Sequence, residues 1–275
     1  MPAQATDPPP LAVTGLRKSF GGVRVLHDFE LTVPARSSGA VAILGQNGAG
    51  KTTLLNLITR LVPADAGRIE VFGHNVLAAG ARHLAGFGVA RTFQSPRLLL
   101  DETCLNNVAL GAWSVSRGRD SASRDSASRD RGGAAATRRA AQALDRVGLA
   151  ALAGRVAGTL PFGSRKLVEL ARALAQQPRL LLLDEPAAGL SYLEESRLAG
   201  VLTGLTDGGI TLLLIEHRMA LVAAVARRVV MMDGGAIVFD GGTAEAISSP
   251  LIRERYLGAG FDQTELAEPD RSDRQ

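Results

Sequence analysis

The sequence predicts an α/β domain with a mostly parallel β-sheet. Apolar stretches of strand length alternate with segments whose apolar residues recur at helical spacing. A glycine-rich turn joins one of these strands to one of these helices. The chain has 275 residues, of which 46% are hydrophobic, enough to bury a sizeable core. No apolar run approaches the roughly 18 residues that would suggest a membrane-spanning helix.

The order of these segments defines the predicted fold. We expect strands at residues 29–33, 41–44, 69–72, 180–183, 211–215, 229–232 and 236–239. We expect helices at residues 52–61, 167–175, 192–205 and 219–225. Strands that alternate with helices favour parallel pairing, because each crossover returns the chain to the same end of the sheet.

The strand signals stop between about residues 93 and 163. Ala, Leu and Arg dominate there at helical spacing, and Gly148 and Gly154 interrupt the pattern. We interpret this stretch as an inserted helical subdomain. Within it Arg-Asp-Ser-Ala-Ser begins at Arg119 and again at Arg124, and a further Arg-Asp follows at Arg129.

This pentapeptide repeat predicts a low-complexity surface loop at about residues 117–133. Its few apolar groups cannot offset the entropy of ordering the chain. The repeat is too short and too local for a solenoid. Repeat expansion in a tolerant loop is the favoured explanation, and a docking function stays open. Residues 1–10 are also expected to be disordered, and the C-terminal tail at 259–275 is expected to be mobile over its polar part, 265–275.

The composition disfavours several classes of function. Cys104 is the only cysteine, so no internal disulfide forms, and the four histidines are too scattered for a metal cage. The net charge of +4 is modest and spread along the chain, which disfavours nucleic-acid binding. The first residues lack the basic and apolar regions of a signal peptide, so a cytoplasmic location is expected.

The glycine-rich turn carries the strongest motif. Residues 45–52 read Gly-Gln-Asn-Gly-Ala-Gly-Lys-Thr, after a predicted strand and before a predicted helix, and this is the pattern of a phosphate-binding loop. Its backbone N–H groups would face phosphate oxygens at a helix N-terminus. Lys51 would reach the β- and γ-phosphates of ATP, and the Thr52 hydroxyl would ligate Mg²⁺.

A second candidate element is the apolar strand that ends in Asp184 and Glu185. Ligands of open α/β sheets bind at the carboxyl ends of the strands, where both carboxylates would lie. Asp184 would hold Mg²⁺, directly or through water. Glu185 could act as general base on the attacking water.

A third segment, taken together with the first two, resembles the motif order of a known family. Residues 160–166 read Leu-Pro-Phe-Gly-Ser-Arg-Lys and precede a helical pattern. With the loop before them and Asp184-Glu185 after them, the chain resembles the ATP-binding cassette (ABC) transporter ATPases from residue 11 to residue 258. The resemblance implies a RecA-like P-loop NTPase core with an antiparallel β subdomain and the inserted helical subdomain. It also makes Gly163 part of the signature motif, which contacts the γ-phosphate of ATP held by the opposite subunit.

Three further motifs resemble the same family. Phe20 matches the aromatic residue that stacks on adenine, Gln94 matches the Q-loop glutamine that senses Mg²⁺ and the γ-phosphate, and His217 matches the switch histidine. The resemblance implies catalytic roles for Glu185, His217 and Gln94, and Mg²⁺ ligation by Thr52, Gln94 and Asp184. The nucleotide-binding residues it implies are Phe20, Gly45, Gln46, Asn47, Gly48, Ala49, Gly50, Lys51, Thr52, Thr53 and Gly163.

The chain departs from the family pattern at three positions. Pro161 replaces the usual serine of the signature motif, Ser191 replaces the D-loop aspartate, and Arg218 follows His217 where an aspartate is common. These changes put one phosphate contact and the communication between two ATP sites in question.

Within the family, the strings around Gln94, Gly163, Glu185 and His217 are most similar to the branched-chain amino acid importer ATPases of the LivG type. Such importers combine two ATPase subunits, identical or different, with two membrane permeases and an extracytoplasmic binding protein. The resemblance therefore implies a peripheral protein on the cytoplasmic face of the plasma membrane, with branched-chain or other apolar amino acids as substrates.

Other functions remain as alternatives. A urea or amide importer ATPase shares these features, and a lipopolysaccharide-export ATPase would form a homodimer with a different permease. ABC proteins that act on ribosomes or DNA usually carry tandem cassettes or a long coiled coil, and this sequence shows one set of motifs. A nucleotide-binding module without hydrolysis is disfavoured by Glu185 and His217.

Overall fold

The computed structural model describes residues 7–34, 39–119 and 126–252. Their strands, in chain order, are β1 Leu11–Phe20, β2 Val23–Val33, β3 Ala40–Gly45, β4 Ala66–Val71, β5 His74–Asn75, β6 Val89–Arg91, β7 Leu180–Asp184, β8 Thr211–Ile215, β9 Ala226–Asp233 and β10 Ala236–Gly242. The helices are α1 Lys51–Ile58, α2 Val76–Ala79, α3 Cys104–Arg119, α4 Ser126–Arg146, α5 Phe162–Leu174, α6 Tyr192–Asp207, α7 Met219–Val225, α8 Thr243–Ser248 and α9 Pro250–Ile252.

The strands form two sheets. The larger sheet has the order β10-β9-β3-β8-β7-β6, in which β10 pairs antiparallel with β9 and the other neighbours are parallel. The smaller sheet has the order β2-β1-β4-β5 and is antiparallel throughout. The structure thus confirms the α/β fold class, with a mostly parallel sheet and an antiparallel β subdomain.

The central strands of the larger sheet, β3, β7 and β8, are buried on both faces. Alternate residues along a strand point to opposite sides, and in β3 Ala40, Ala42 and Leu44 join one hydrophobic cluster while Val41 and Ile43 join the other. The first cluster includes side chains of α3 to α7, and the second includes α1 and the antiparallel sheet. This layered packing explains why these strands read as continuous apolar runs.

The element boundaries differ from expectation in several places. The structure adds β5 and β6, which are too short to give a periodic signal. It also adds β1, in a region where the apolar periodicity predicts no strand. Helix α1 runs over Lys51–Ile58 instead of 52–61, and Arg60 just after it has a φ of 58°. Helix α5 begins at Phe162, five positions before the predicted start at residue 167.

The region expected to be a helical subdomain contains α3, α4 and two 3₁₀ turns at Ala150–Leu152 and Ala157–Thr159. The repeat segment at 117–133 lies partly outside the described residues, at 120–125. Its described parts belong to α3 and α4 and are helical, so the expectation of a loop is wrong for them. A helix is possible there because Ala, Arg and Ser tolerate helical geometry.

The predicted disordered ends fall largely outside the described residues, which exclude 1–6 and 253–275. In the part of the chain that the structure describes, none of the helices has the length and apolar character needed to cross a bilayer.

Candidate active site

The glycine-rich loop connects β3 to α1 at the carboxyl end of the larger sheet. Gly45, Gly48 and Gly50 have φ values of 151°, 86° and 98°, which side-chain-bearing residues rarely adopt. A Cβ on Gly45 would lie 2.3 Å from the carbonyl oxygen of Met232. The glycines therefore permit both the curl of this loop and its close approach to β9.

Lys51 is the first residue of α1, and its side chain folds back over the loop. The ammonium Nζ donates hydrogen bonds to the carbonyl oxygens of Gly45, at 2.6 Å, and Gln46, at 2.9 Å. Burial lowers the pKa of Lys51, and the charges of Glu185 and Asp184 oppose this shift. The loop thus keeps a partly buried cation next to its own backbone N–H groups, which suits a polyphosphate.

Glu185 and Gln94 meet at the ends of two neighbouring strands. Glu185 directly follows β7, and Gln94 comes three residues after β6, which pairs with β7. Gln94 Nε2 donates a 2.6 Å hydrogen bond to Glu185 Oε2. Because the two residues lie 91 positions apart in sequence, the parallel pairing of β6 with β7 is what brings them together.

His217 approaches the same carboxylate from the next strand of the sheet. It follows β8, and its Nδ1 lies 4.0 Å from Glu185 Oε2 and 3.7 Å from Glu216 Oε1. The imidazole is about half exposed, so it faces the open side of the cleft. A histidine in this position can donate or accept a hydrogen bond according to its tautomer.

These groups surround one open cleft of about 490 Å³. Its lining consists of Gly45, Gln46, Asn47, Lys51, Gln94, Glu185, Glu216 and His217. The cleft therefore combines a cation, a phosphate-binding backbone and a carboxylate that could activate water.

Eight of the predicted residues do not line this cleft: Gly48, Ala49, Gly50, Thr52, Thr53, Asp184, Phe20 and Gly163. Phe20 ends β1 with 46% of its surface exposed. Gly163 lies in the first turn of α5 and lines a different cavity, of about 730 Å³, between α4, α5 and α6. The signature segment and the phosphate-binding loop of one chain are thus parts of separate surfaces.

The predicted Mg²⁺ ligands have suitable chemistry. A threonine hydroxyl, an amide oxygen and one carboxylate are hard oxygen donors, and Mg²⁺ bound to a nucleotide commonly uses one or two carboxylates together with phosphates. Among the described residues no group of three or more His, Cys, Asp or Glu forms a metal cage. The donor set of Thr52, Gln94 and Asp184 therefore fits a metal that is held jointly with phosphates.

Asp184 has a partner that the sequence interpretation missed. Arg91 Nη2 donates to Asp184 Oδ2 at 2.8 Å, and Arg91 Nη1 donates to Asn56 Oδ1 in α1 and to Thr59 Oγ1 at the C-cap of α1. Burial lowers the pKa of Arg91, and the hydrogen bond and charge of Asp184 oppose that shift. The only signal in the sequence was the position of Arg91, three residues before Gln94.

Glu216 was also missed, although it is adjacent to His217. Its carboxylate is fully buried and accepts hydrogen bonds from the backbone N–H groups of Ala187, at 3.1 Å, His217, at 3.1 Å, and Arg218, at 3.4 Å. Burial raises the pKa of Glu216, and these hydrogen bonds oppose the rise. Glu216 thus ties the turn after Glu185 to the loop that carries His217.

The backbone of Glu185 is strained. Its φ is 47°, in the left-handed region, and Pro186 follows, although residues before proline are normally extended. Such a conformation costs on the order of 1–3 kcal/mol and persists only where the surroundings fix it. The Glu185 N–H donates to the carbonyl of Ile215, and Lys166 Nζ donates to the carbonyl of Glu185.

The three departures from the family pattern have structural roles in this chain. Pro161 is the N-cap residue of α5. Ser191 is the N-cap of α6 and forms a capping box with Glu194. Arg218 forms an ion pair with Glu195, which lies in α6. Two of these residues therefore stabilise the start of α6.

Comparison with known proteins identifies relatives over almost the whole chain. The family model described as ABC transporter matches residues 26–188, more than half of the sequence. The chain is 34% identical to the high-affinity branched-chain amino acid transport ATP-binding protein BraF of Pseudomonas aeruginosa and 33% identical to LivG of Escherichia coli K12. Both alignments cover 91% of this chain and 98% of the relative.

Another relative is named for a different substrate. The aliphatic sulfonates import ATP-binding protein SsuB of Cupriavidus necator is 37% identical, over 94% of this chain and 75% of the relative.

A solved structure agrees with these matches. A nucleotide-free ATP-binding cassette from an ABC transporter superposes with a TM-score of 0.77 at 28% identity, covering 90% of this chain and 98% of that chain. Sequence, fold and the residues gathered around the cleft lead to the same conclusion: this chain belongs to the ABC transporter family, as an ATP-binding subunit.

Proposed function

We propose that the chain is the ATP-hydrolysing subunit of an importer for branched-chain or other apolar amino acids. The observation that carries the catalytic part is the cleft in which Lys51, Gln94, Glu185 and His217 converge. The relatives BraF and LivG are named as branched-chain amino acid transport ATP-binding proteins, which supports the choice of substrate.

The proposal gives a role to the phosphate-binding loop and to four residues near it, Gln94, Asp184, Glu185 and His217. The backbone N–H groups of the loop and Lys51 bind the phosphates, which hold the nucleotide in place. Thr52, Gln94 and Asp184 would hold Mg²⁺, which neutralises charge on the phosphates when it is bound. Glu185 removes a proton from the attacking water, and His217 donates a hydrogen bond to the γ-phosphate.

The proposal requires a second ATPase subunit. Gly163 and the phosphate-binding loop of this chain lie on separate surfaces. A composite site forms when two subunits each place a signature segment against the other's ATP, with Phe20 beside adenine. Closure of the pair would drive two permeases that receive substrate from an extracytoplasmic binding protein, so we propose a location on the cytoplasmic face of the membrane.

An uptake experiment tests the transport function. Host cells that lack this gene would be complemented with wild-type chain or with Lys51→Ala, and uptake of labelled leucine, isoleucine and valine would be measured. Wild type should restore uptake and Lys51→Ala should not, because phosphate binding and turnover both weaken.

The same cells distinguish other substrates. SsuB makes an aliphatic sulfonate the second candidate, and labelled urea tests the amide alternative. Unchanged uptake of the three amino acids, together with loss of sulfonate or urea uptake in the deletion strain, would overturn the substrate assignment.

A further inference from the structure

The side chain of Lys166 reaches the turn after β7, where the backbone of Glu185 is strained. Lys166 lies in α5, three residues after Gly163, and only 8% of its surface is exposed. Nζ donates to the carbonyl oxygen of Glu185 at 2.8 Å and to that of Pro186 at 3.2 Å. It also lies 5.5 Å from the centre of the Phe162 ring.

Burial of the Lys166 ammonium away from water is unfavourable in itself, because the charge loses its hydration. Desolvation lowers the pKa of Lys166, and the nearby charges of Glu216, Glu169 and Glu185 oppose that shift. The hydrogen bonds of the ammonium go to two consecutive backbone carbonyls. A charged donor makes stronger hydrogen bonds than a neutral one, so this contact is a strong restraint on the local backbone.

The restrained backbone is the one that orients Glu185. The Glu185 carbonyl accepts from both Lys166 and the N–H of Ala188, while the Glu185 N–H is bound to Ile215. With its amide and carbonyl both fixed, the residue is held at a φ of 47°. In this conformation its carboxylate meets Gln94 and points into the cleft.

We propose that Lys166 is a positioning residue for hydrolysis, which holds Glu185 in the left-handed conformation that aims its carboxylate into the cleft. The inference rests on the proposed role of Glu185 as general base. Because Gly163 and Lys166 lie in the same first turns of α5, a shift of the signature segment would also move the support of this chain's own Glu185.

The test compares variants of Lys166 in transporter complexes purified from host membranes through a tag on this chain. Lys166→Met keeps the apolar stem and removes the donor, whereas Lys166→Arg keeps a charged donor. We expect Lys166→Met to lower the hydrolysis rate by about 10- to 100-fold, the effect of losing one charged hydrogen bond. ATP affinity should stay within about threefold of wild type, and Lys166→Arg should recover part of the rate.

A double-mutant cycle separates positioning from general damage to the fold. If Lys166 acts through Glu185, then Lys166→Met should lower the residual single-turnover rate of Glu185→Gln by much less than it lowers the wild-type rate. An equal effect in both backgrounds would overturn the inference, as would an unchanged rate in Lys166→Met alone.

The control variant is Arg179→Met, which alters a basic residue beside the opposite end of β7, where Arg179 packs on Phe72. It should leave the rate unchanged. Full hydrolysis by Glu185→Gln would contradict the proposed function. Loss in Glu185→Gln with no loss in Lys166→Met would contradict only this inference.

Discussion

Arg91 donates a 2.8 Å hydrogen bond to Asp184, and each of the two side chains is 6% exposed. The pair joins β6, which leads to Gln94, with β7, which leads to Glu185. Through Asn56 and Thr59 the same guanidinium also holds α1, the helix that begins at Lys51. One buried arginine therefore connects the strands that lead to Gln94 and Glu185 with the helix that begins at Lys51.

Replacement of Arg91 by Met should destabilise the protein strongly. The change leaves Asp184 buried without its cation, and loss of one partner of a buried ion pair typically costs about 3–5 kcal/mol. Urea unfolding measures the difference. The control is Arg68→Met, which breaks the exposed pair with Glu70 and should change the stability far less. Equal effects in the two variants would contradict the importance of the buried pair.

The glycines of the loop should differ in their tolerance of a side chain. In Gly45→Ala the new Cβ meets the Met232 carbonyl, so the loop must shift and ATP binding should be lost. In Gly48→Ala the Cβ meets nothing within 4 Å, and only the positive φ is unfavourable, by about 1–2 kcal/mol. Titration with a fluorescent ATP analogue measures both affinities. Tighter binding by Gly45→Ala than by Gly48→Ala would contradict this account of the loop.

The N-cap of α6 gives a third prediction. Ser191→Ala removes the capping side chain and should lower the free energy of unfolding by about 1 kcal/mol. Ser191→Asp should preserve stability, because aspartate caps as well as serine. Thermal unfolding of both variants distinguishes the cap from a general effect of substitution, which would destabilise the two alike.

Glu169 should make stability depend on pH. Its carboxylate is buried in α5 and accepts hydrogen bonds from the backbone N–H groups of Phe93 and Arg97, yet desolvation dominates and raises its pKa. The folded state therefore holds the proton more tightly than the unfolded state. The stabilisation that Glu169 contributes to the folded state is fully present below its pKa in the unfolded chain. It is lost as the pH rises through its pKa in the folded protein.

Urea unfolding across this pH range should show that wild type loses more stability with rising pH than Glu169→Gln, which cannot titrate at this position. Parallel pH profiles for the two proteins would show that the pKa of Glu169 is not raised on folding.

Patterns within short stretches of sequence predicted the elements that are formed by contiguous residues. The strand before Gly45, the loop and the helix after it are contiguous, so spacing alone identified them. Residues 89–91 form β6 only because they pair with β7, and three residues give no periodicity to detect. Helix α1 ends at Ile58 although the apolar pattern continues to Leu61, since Arg60 takes a left-handed conformation.

The residues of the site also divide into those that a local motif identifies and those that depend on long-range contacts. Glu185, Gln94 and His217 stand in recognisable strings, but their contacts depend on the order of β6, β7 and β8 in the sheet. The partners of Arg91, Lys166 and Glu216 are distant in sequence or belong to the backbone, where no motif records them. Sequence motifs therefore identify the groups that act on the nucleotide better than the groups that hold them in place.

The decisive test of Glu185 as the general base is ATP hydrolysis by Glu185→Gln, in transporter complexes purified through a tag on this chain. The amide cannot accept the proton of the attacking water, so the rate should fall at least about 100-fold. The phosphate contacts made by the loop and Lys51 remain, so ATP affinity should stay within about threefold of wild type. Undiminished hydrolysis by this variant would contradict the assignment of Glu185 as the base.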